Sequence, residues 1–184
     1  MSVVPHIPRL TTKRLIMRGH VAKDLDDSAA MWADPAVVAL ISGTPSTRTE
    51  TWARLLTYAG LWQHLGYGYW AVTDRVTGAF LGEVGFADFK RDITPSTADS
   101  PEIGWAFRTD AQGRGLAVEA VTAALAWADQ SLRDNATLCI INPLNDRSLR
   151  LASKVGYADA IVGRLGDAEV QILRRMGREA HGAA

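Results

Sequence analysis

Gln112-Gly113-Arg114-Gly115-Leu116-Ala117 stands between two stretches of opposite periodicity. Before it, Glu102-Ile103-Gly104-Trp105-Ala106-Phe107 reads as a strand; after it, Leu116, Ala120, Val121, Ala124, Leu125 and Ala128 fall on one helical face, the stripe of a helix laid on a sheet. A glycine turn between a strand and a helix presents unpaired backbone N–H groups at the positive end of the helix dipole. Two glycines let the main chain approach an anion closely, Ala117 keeps the next turn slim, and Arg114 adds a charge. The pattern suits a phosphate. Taken alone, it also suits any strand-to-helix turn that needs glycine.

Working outward, residues 136–141 form a second strand beyond a break at Asp134-Asn135. Strand, helix and strand of this length imply a parallel pair joined by a right-handed crossover. Asn145 opens another helix that runs to Lys154, with Gly156 as its C′ residue. Two short strands, 158–162 and 169–173, flank a turn at Gly166-Asp167. Toward the amino terminus, residues 69–73 and 79–86 read as an antiparallel hairpin, preceded by a helix with a Thr47/Glu50 capping box. Trp52, Leu55, Leu56, Ala59 and Trp62 follow that box at helical spacing, and Gly66 stops the helix. Residues 14–18 are extended, and 91–101 make one long loop. The order β-α-α-β-β-β-α-β-α-β-β predicts a mixed α/β (α+β) layer fold.

The 184 residues are 47% hydrophobic, which suits one domain over 1–184 with a sizeable core. Lys+Arg and Asp+Glu both number 20, so bulk charge draws the chain neither to nucleic acid nor to an anionic membrane. The single cysteine, Cys139, lies in an apolar run; no intrachain disulfide is possible, and a reducing compartment is expected. The amino terminus lacks the charged and apolar regions of a signal peptide, and no apolar stretch nears the ~20 residues of a membrane span. A soluble, cytoplasmic protein is expected. His20 and His64 have no partner spacing that indicates zinc, and no metal is expected.

Gln112, Gly115 and Ala117 satisfy a pattern of Gln or Arg, two residues, Gly, one residue, Gly or Ala, and in this the chain resembles the GNAT superfamily of N-acetyltransferases, where the pattern binds coenzyme A. Leu10-Thr11-Thr12-Lys13-Arg14-Leu15, the block from Glu102 to Trp105 and the block from Asn145 to Tyr157 are similar to its RimJ/RimL-like, ribosomal-protein-alanine branch. The resemblance implies a mostly antiparallel central sheet with helices on both faces and a splayed parallel pair, and acetyl-CoA as cosubstrate. The pantetheine arm would lie in the splay, where unpaired strand amides satisfy it like an added strand. Cofactor contacts are then expected from Trp105, Ala106, Phe107, Gln112, Gly113, Arg114, Gly115, Leu116, Ala117, Asn145, Ser148 and Lys154. Asn145 is equally a good N-cap.

The acceptor implied is a primary amine that attacks directly in a ternary complex. An amine of pKa about 8 is already roughly 10% neutral at pH 7, against well under ~0.1% for a lysine, so an α-amine asks less of a base. Glu102, opening the central strand, is the first candidate to relay the proton, the competing reading being that it pairs with a basic side chain or simply faces solvent; Glu83 is the second. A strand amide near Phe107 would meet the oxyanion. Ser148 and Asn142 are placed near the thioester. Many superfamily members carry a tyrosine four residues before the helix-ending glycine; here that residue is Ala152, and Ser148 is too weak an acid to protonate a thiolate fully. Trp32, Tyr69, Trp70 and Glu83 are candidates for the acceptor pocket, with the core as the alternative for the aromatics. A dinucleotide-binding oxidoreductase fits poorly, since the third spaced glycine and the acidic residue after the next strand are missing. A non-catalytic acyl-CoA sensor is the remaining alternative. Monomer and homodimer are both compatible with the sequence.

Overall fold

The computed structural model describes residues 6–98, 100–132 and 136–177; the expected break at Asp134-Asn135 lies outside them. In chain order the elements are β1 (Leu10–Thr11), β2 (Leu15–Arg18), α1 (Leu25–Trp32), α2 (Pro35–Val38), α3 (Arg48–Leu65), β3 (Tyr69–Asp74), β4 (Phe80–Ala87), β5 (Ile93–Thr94), β6 (Glu102–Phe107), α4 (Leu116–Ser131), β7 (Ala136–Ile141), α5 (Asp146–Lys154), β8 (Ala158–Leu165) and β9 (Ala168–Met176). Short 3-10 turns at Ala22–Asp24 and Thr109–Ala111 lead into α1 and the glycine turn. The strands form one nine-stranded sheet in the order β1-β2-β3-β4-β6-β7-β9-β8-β5. All neighbours are antiparallel except β6 and β7.

Alternation along β4 sorts the helices. Val84 and Phe86 join the core cluster containing Leu116, Ala120, Val121 and Ala124 of α4, whereas Ala87 packs with Leu55, Tyr58 and Leu61 of α3. Because successive strand side chains point to opposite faces, α4 covers one face, and α1 and α3 cover the other. Ala152 and Tyr157 place α5 beside α4.

The expected elements recur, joined by β1 and a third helix before β3, and with three corrections. Thr47 and Glu50 form the reciprocal capping box, with Thr47 Oγ1 accepting from the Glu50 amide, and Gly66 ends α3 in the left-handed region at φ 75°. The buried stripe of α3, however, is Thr51, Leu55, Tyr58, Leu61 and Trp62; Trp52 and Leu56 face solvent. Apolar spacing fixed the helix but not its phase, which packing decides. The long loop contains β5, which pairs Ile93 with Leu165 and Thr94 with Arg164. Finally, β8 and β9 run several residues beyond the short strands expected.

The parallel pair is barely a pair. Only Glu102 and Leu138 are in register, and the Leu138 amide donates to Pro101 O at 3.1 Å. Past that point β6 stays with β4 as far as Phe107, while β7 stays with β9 through Ile141. The two strands therefore diverge toward their carboxyl ends, where the glycine turn and the start of α5 also lie.

Candidate active site

Residues 112–115 carry β6 into α4. Gly113 and Gly115 both have φ of 73°, a region that costs any residue with a Cβ, and Gly115 serves as N-cap without offering a side chain. Gln112 fixes the turn from within: its Nε2 donates to Phe107 O at 3.0 Å, and its Oε1 accepts from Arg147 at 2.9 Å. A second brace comes from the amino-terminal block. Glu119, in the first turn of α4, accepts from Thr12 Oγ1 at 2.6 Å, the Arg14 amide at 2.8 Å and Arg14 Nε at 2.7 Å, while the same guanidinium donates to Arg114 O. Burial alone would raise the Glu119 carboxyl, but the bonds from Thr12 and Arg14 outweigh it and hold it below the usual range.

A groove of about 800 Å³ runs along this turn, lined by Gln112, Gly113, Gly115, Leu116 and Ala117, and across it by Arg147, Arg150 and Lys154 of α5. It continues past Phe107 and Ala106 to Trp105, Asn145 and Ser148. On the far side lies a second cavity of about 470 Å³, and Trp105, Ala106, Asn145 and Ser148 line it too. The two spaces meet where β6 and β7 have parted. Here the Arg108 amide donates to Leu81 O beside the Phe107–Gly82 pair. By antiparallel alternation, the Phe107 and Trp105 amides then turn away from β4, toward the gap. Trp105 Nε1 donates to Ser148 Oγ at 3.3 Å, and Asn145 Oδ1 accepts the Ser148 amide at 3.1 Å as the N-cap of α5.

The second cavity is polar at its base. Glu83 stands across from Ala106, and Glu102 across from Ala87, so both carboxylates rise from the same face of the sheet. Glu83 has no solvent exposure and accepts from Ser28 Oγ at 2.6 Å, Trp32 Nε1 at 3.0 Å and Tyr58 Oη at 3.0 Å. Glu102 is held by Arg91 through two bonds, 2.7 and 3.0 Å. Tyr69 stacks on Tyr58 with centroids 4.3 Å apart, and its hydroxyl lies over Gly104, where any Cβ would collide with it. Burial pushes both phenols well above their ordinary range. Cys139 borders the cavity, but burial, helped by the Glu102 charge, pushes its thiol up to about 12, so it stays protonated.

Residues 14–158 match the family model for the acetyltransferase (GNAT) domain. The chain belongs to the GNAT acetyltransferase family. A protein from Bordetella pertussis assigned to that family is 30% identical, with 91% of this chain and 99% of that one aligned at a TM-score of 0.80. The uncharacterized YkkB of Bacillus subtilis (strain 168) is 29% identical over 160 residues, 80% of this chain and 84% of YkkB. RimL, a ribosomal L7/L12 α-N-protein acetyltransferase solved in complex with coenzyme A, shares the fold at 13% identity, with a TM-score of 0.73 over 92% of this chain and 98% of its own.

Set in the GNAT frame, most of the residues singled out from sequence converge. Trp105, Ala106, Asn145 and Ser148 line both spaces; Phe107, Gln112, Gly113, Gly115, Leu116, Ala117 and Lys154 line the groove; Asn142, Glu102, Glu83, Trp32 and Tyr69 line the second cavity. Two expected members stand apart. Trp70 has no exposure, donates to Pro8 O at 2.8 Å, and packs edge-on against Trp62, Phe86 and Trp127; it belongs to the core beneath α4. Arg114 is not a groove wall, and what it contributes is the carbonyl that Arg14 holds. The Asn142 oxygen is occupied locally by the Leu144 amide at 2.9 Å. Among the residues missed are Arg147 and Arg150 on the groove and Arg54, Tyr58 and Arg91 on the cavity. Tyr58 was findable as the middle of the true α3 stripe; nothing separates the arginines from ordinary surface charges in sequence. Among the described residues no cluster of His, Cys, Asp and Glu is arranged to hold a metal, and no helix is long and apolar enough to cross a membrane.

Proposed function

We propose that the chain is an acetyl-CoA-dependent N-acetyltransferase acting on a primary amine, one catalytic domain of the RimJ/RimL-like type working in the reducing cytoplasm. The observation that carries this is the meeting of two spaces at Trp105, Ala106, Asn145 and Ser148. The groove has the anion-binding turn at its far end, so the coenzyme's diphosphate sits on the 113–118 amides with Arg147, Arg150 and Lys154 as counter-charges. Its pantetheine arm follows the open edge of β6, and the thioester arrives at the junction. The amine approaches from the other cavity.

There the neutral nitrogen attacks the thioester carbon. The amides directed into the gap stabilise the tetrahedral oxyanion, the C–S bond breaks, and coenzyme A leaves as a thiolate. The proton shed by nitrogen passes, through water, to Glu102, which keeps some exposure although Arg91 holds both its oxygens, while the charge of the buried Glu83 favours an amine nearby. The Trp105 indole can only donate, so Ser148 Oγ is its acceptor and the serine proton is free to point at the departing sulfur. This stabilises the thiolate without fully protonating it.

Calorimetry with coenzyme A, paired with thiol release from acetyl-CoA over a panel of amines, tests the reading. Binding of the coenzyme with acceptor-dependent thiol release is expected. No heat on titration, or a crystal placing coenzyme A away from the 113–118 turn, would overturn it.

A further inference from the structure

Arg54 is the one cavity-lining cation left without an anionic partner among the described residues. It sits in α3 with its guanidinium carbon 3.9 Å from the centroid of the Trp32 ring. Its single hydrogen bond there is a long one, 3.4 Å to Ser46 Oγ, and its Nε is shielded from solvent with no acceptor at all. Arg91, the other arginine of the same cavity, is fully engaged by Glu102. Glu50, one helical turn before Arg54, feels its charge, but its Oε2 accepts from the Thr47 amide and hydroxyl, and it forms no ion pair with Arg54 among the described residues. The charge of Arg54 is also felt by Tyr58 and Tyr69, so its field reaches the inside of the cavity.

An arginine stacked on an indole, lining a cavity and lacking an anionic partner, is preorganised for a planar oxyanion, because the fork of its exposed end matches a carboxylate. The cavity also offers the opposite sign, since Glu83 forms part of its wall and its oxygens face Ser28, Trp32 and Tyr58, all neutral donors. One acceptor molecule therefore meets an unpaired cation and feels the charge of the buried Glu83 carboxylate in the same space. At about 470 Å³ that space has the size of a small-molecule site.

We infer that the amine acceptor is a small amino acid with a free carboxylate, held at its acid end by Arg54 while its amine faces Glu83, Glu102 and the thioester junction. This rests on the acetyltransferase reading above and goes further, naming the class of acceptor. It excludes amines that lack an acid group as preferred substrates.

The experiment uses the full chain saturated with coenzyme A. The standard α-amino acids, together with β-alanine and 4-aminobutyrate to vary the spacing of the two ends, are titrated beside their primary amides, and thiol release from acetyl-CoA is followed for the same compounds. At least one acid should bind and turn over with a kcat/KM at least about tenfold above that of its amide. In Arg54→Met the acid-to-amide ratio should collapse toward one, and Arg54→Lys should restore part of it. A merely structural role for the Arg54–Trp32 stack would lower acid and amide together and leave the ratio alone, which overturns the inference. So does failure of every acid to bind at millimolar concentration, or equal use of acids and amides. Acid binding that depends on Arg54 without any thiol release would instead uphold the anion site and sink the transferase reading, so the two failures are distinguishable.

Discussion

Trp105 Nε1 and Ser148 Oγ, 3.3 Å apart, form a bond between the central strand and the helix that follows the parted strand, at the place where the groove and the cavity join. Its direction matters, because an indole offers only a proton and so determines which way the serine proton is free to point.

In the proposed mechanism Ser148→Ala removes a donor to the developing thiolate, and hydrogen bonds to charged groups carry about 1.5–3 kcal/mol. The turnover number should fall by about tenfold or more, while the dissociation constant for acetyl-CoA changes little, since the proposal seats the diphosphate elsewhere. Steady-state kinetics alongside calorimetry separates the two quantities. An unchanged kcat would remove Ser148 from the mechanism.

The two carboxylates of the cavity should behave differently when made neutral. Glu102 keeps 12% side-chain exposure beside Arg91, which keeps 31%; Glu102→Gln should fold normally yet lose about a hundredfold in kcat, the share a positioned proton acceptor contributes. Glu83→Gln instead places an amide among three donors with one oxygen to offer, leaving buried donors unmet at about 1–3 kcal/mol each. Its first symptom should be a lowered melting temperature. Should Glu102→Gln keep its kcat and Glu83→Gln lose it without unfolding, the roles would be exchanged.

The amino-terminal block should act on the coenzyme from a distance. Glu119→Gln keeps the shape of the side chain but loses the charge that gathers Thr12 and both the amide and guanidinium of Arg14. With Arg14 released from Arg114 O, the 113–115 turn loses its outer brace. Coenzyme A affinity should drop by about tenfold, a change of roughly 1.4 kcal/mol, with the acid-to-amide preference among acceptors unmoved. Equal affinity in variant and parent would show that Gln112 alone holds the turn.

What could be read in the sequence was the chemistry that lives within a few residues. Gly113 and Gly115 announce a turn because glycine takes positive φ freely, and Thr47 with Glu50 announces a capping box and Asn145 a cap because their side chains meet backbone groups three residues away. Relations over longer distances were hidden. Arg91 finds Glu102 only because the loop carrying β5 folds back on the sheet, and two residues of strand leave no periodic trace. Trp70 and Tyr69 are neighbours in β3, yet alternation sends one under α4 and the other over Gly104, and no local pattern says which face is the pocket. Arg54 looks like any helix-surface arginine until Trp32 is placed beneath it.

His20 provides the last prediction. Both ring nitrogens are shielded and have no partner among the described residues, and the ring lies 5.2 Å from that of Tyr58. Burial lowers its pKa and Arg18 adds to the fall, while Glu83 and Asp24 pull the other way without prevailing. With the folded pKa below the unfolded value of about 6.5, the unfolded chain binds a proton that the native one refuses. Stability is therefore full above that value and declines as pH falls toward the folded pKa, with a slope of at most about 1.4 kcal/mol per pH unit. Asp24 acts in a separate, more acidic window: burial raises its pKa, but its bonds from Arg18 and the Val21 amide prevail and lower it, so its contribution is lost only as pH falls below the ordinary aspartate range. Urea unfolding between pH 5 and 7.5 should show the decline in the parent chain and a flatter profile in His20→Phe, where a ring of similar size replaces the titrating one. A slope that survives the substitution unchanged would assign the proton to another group.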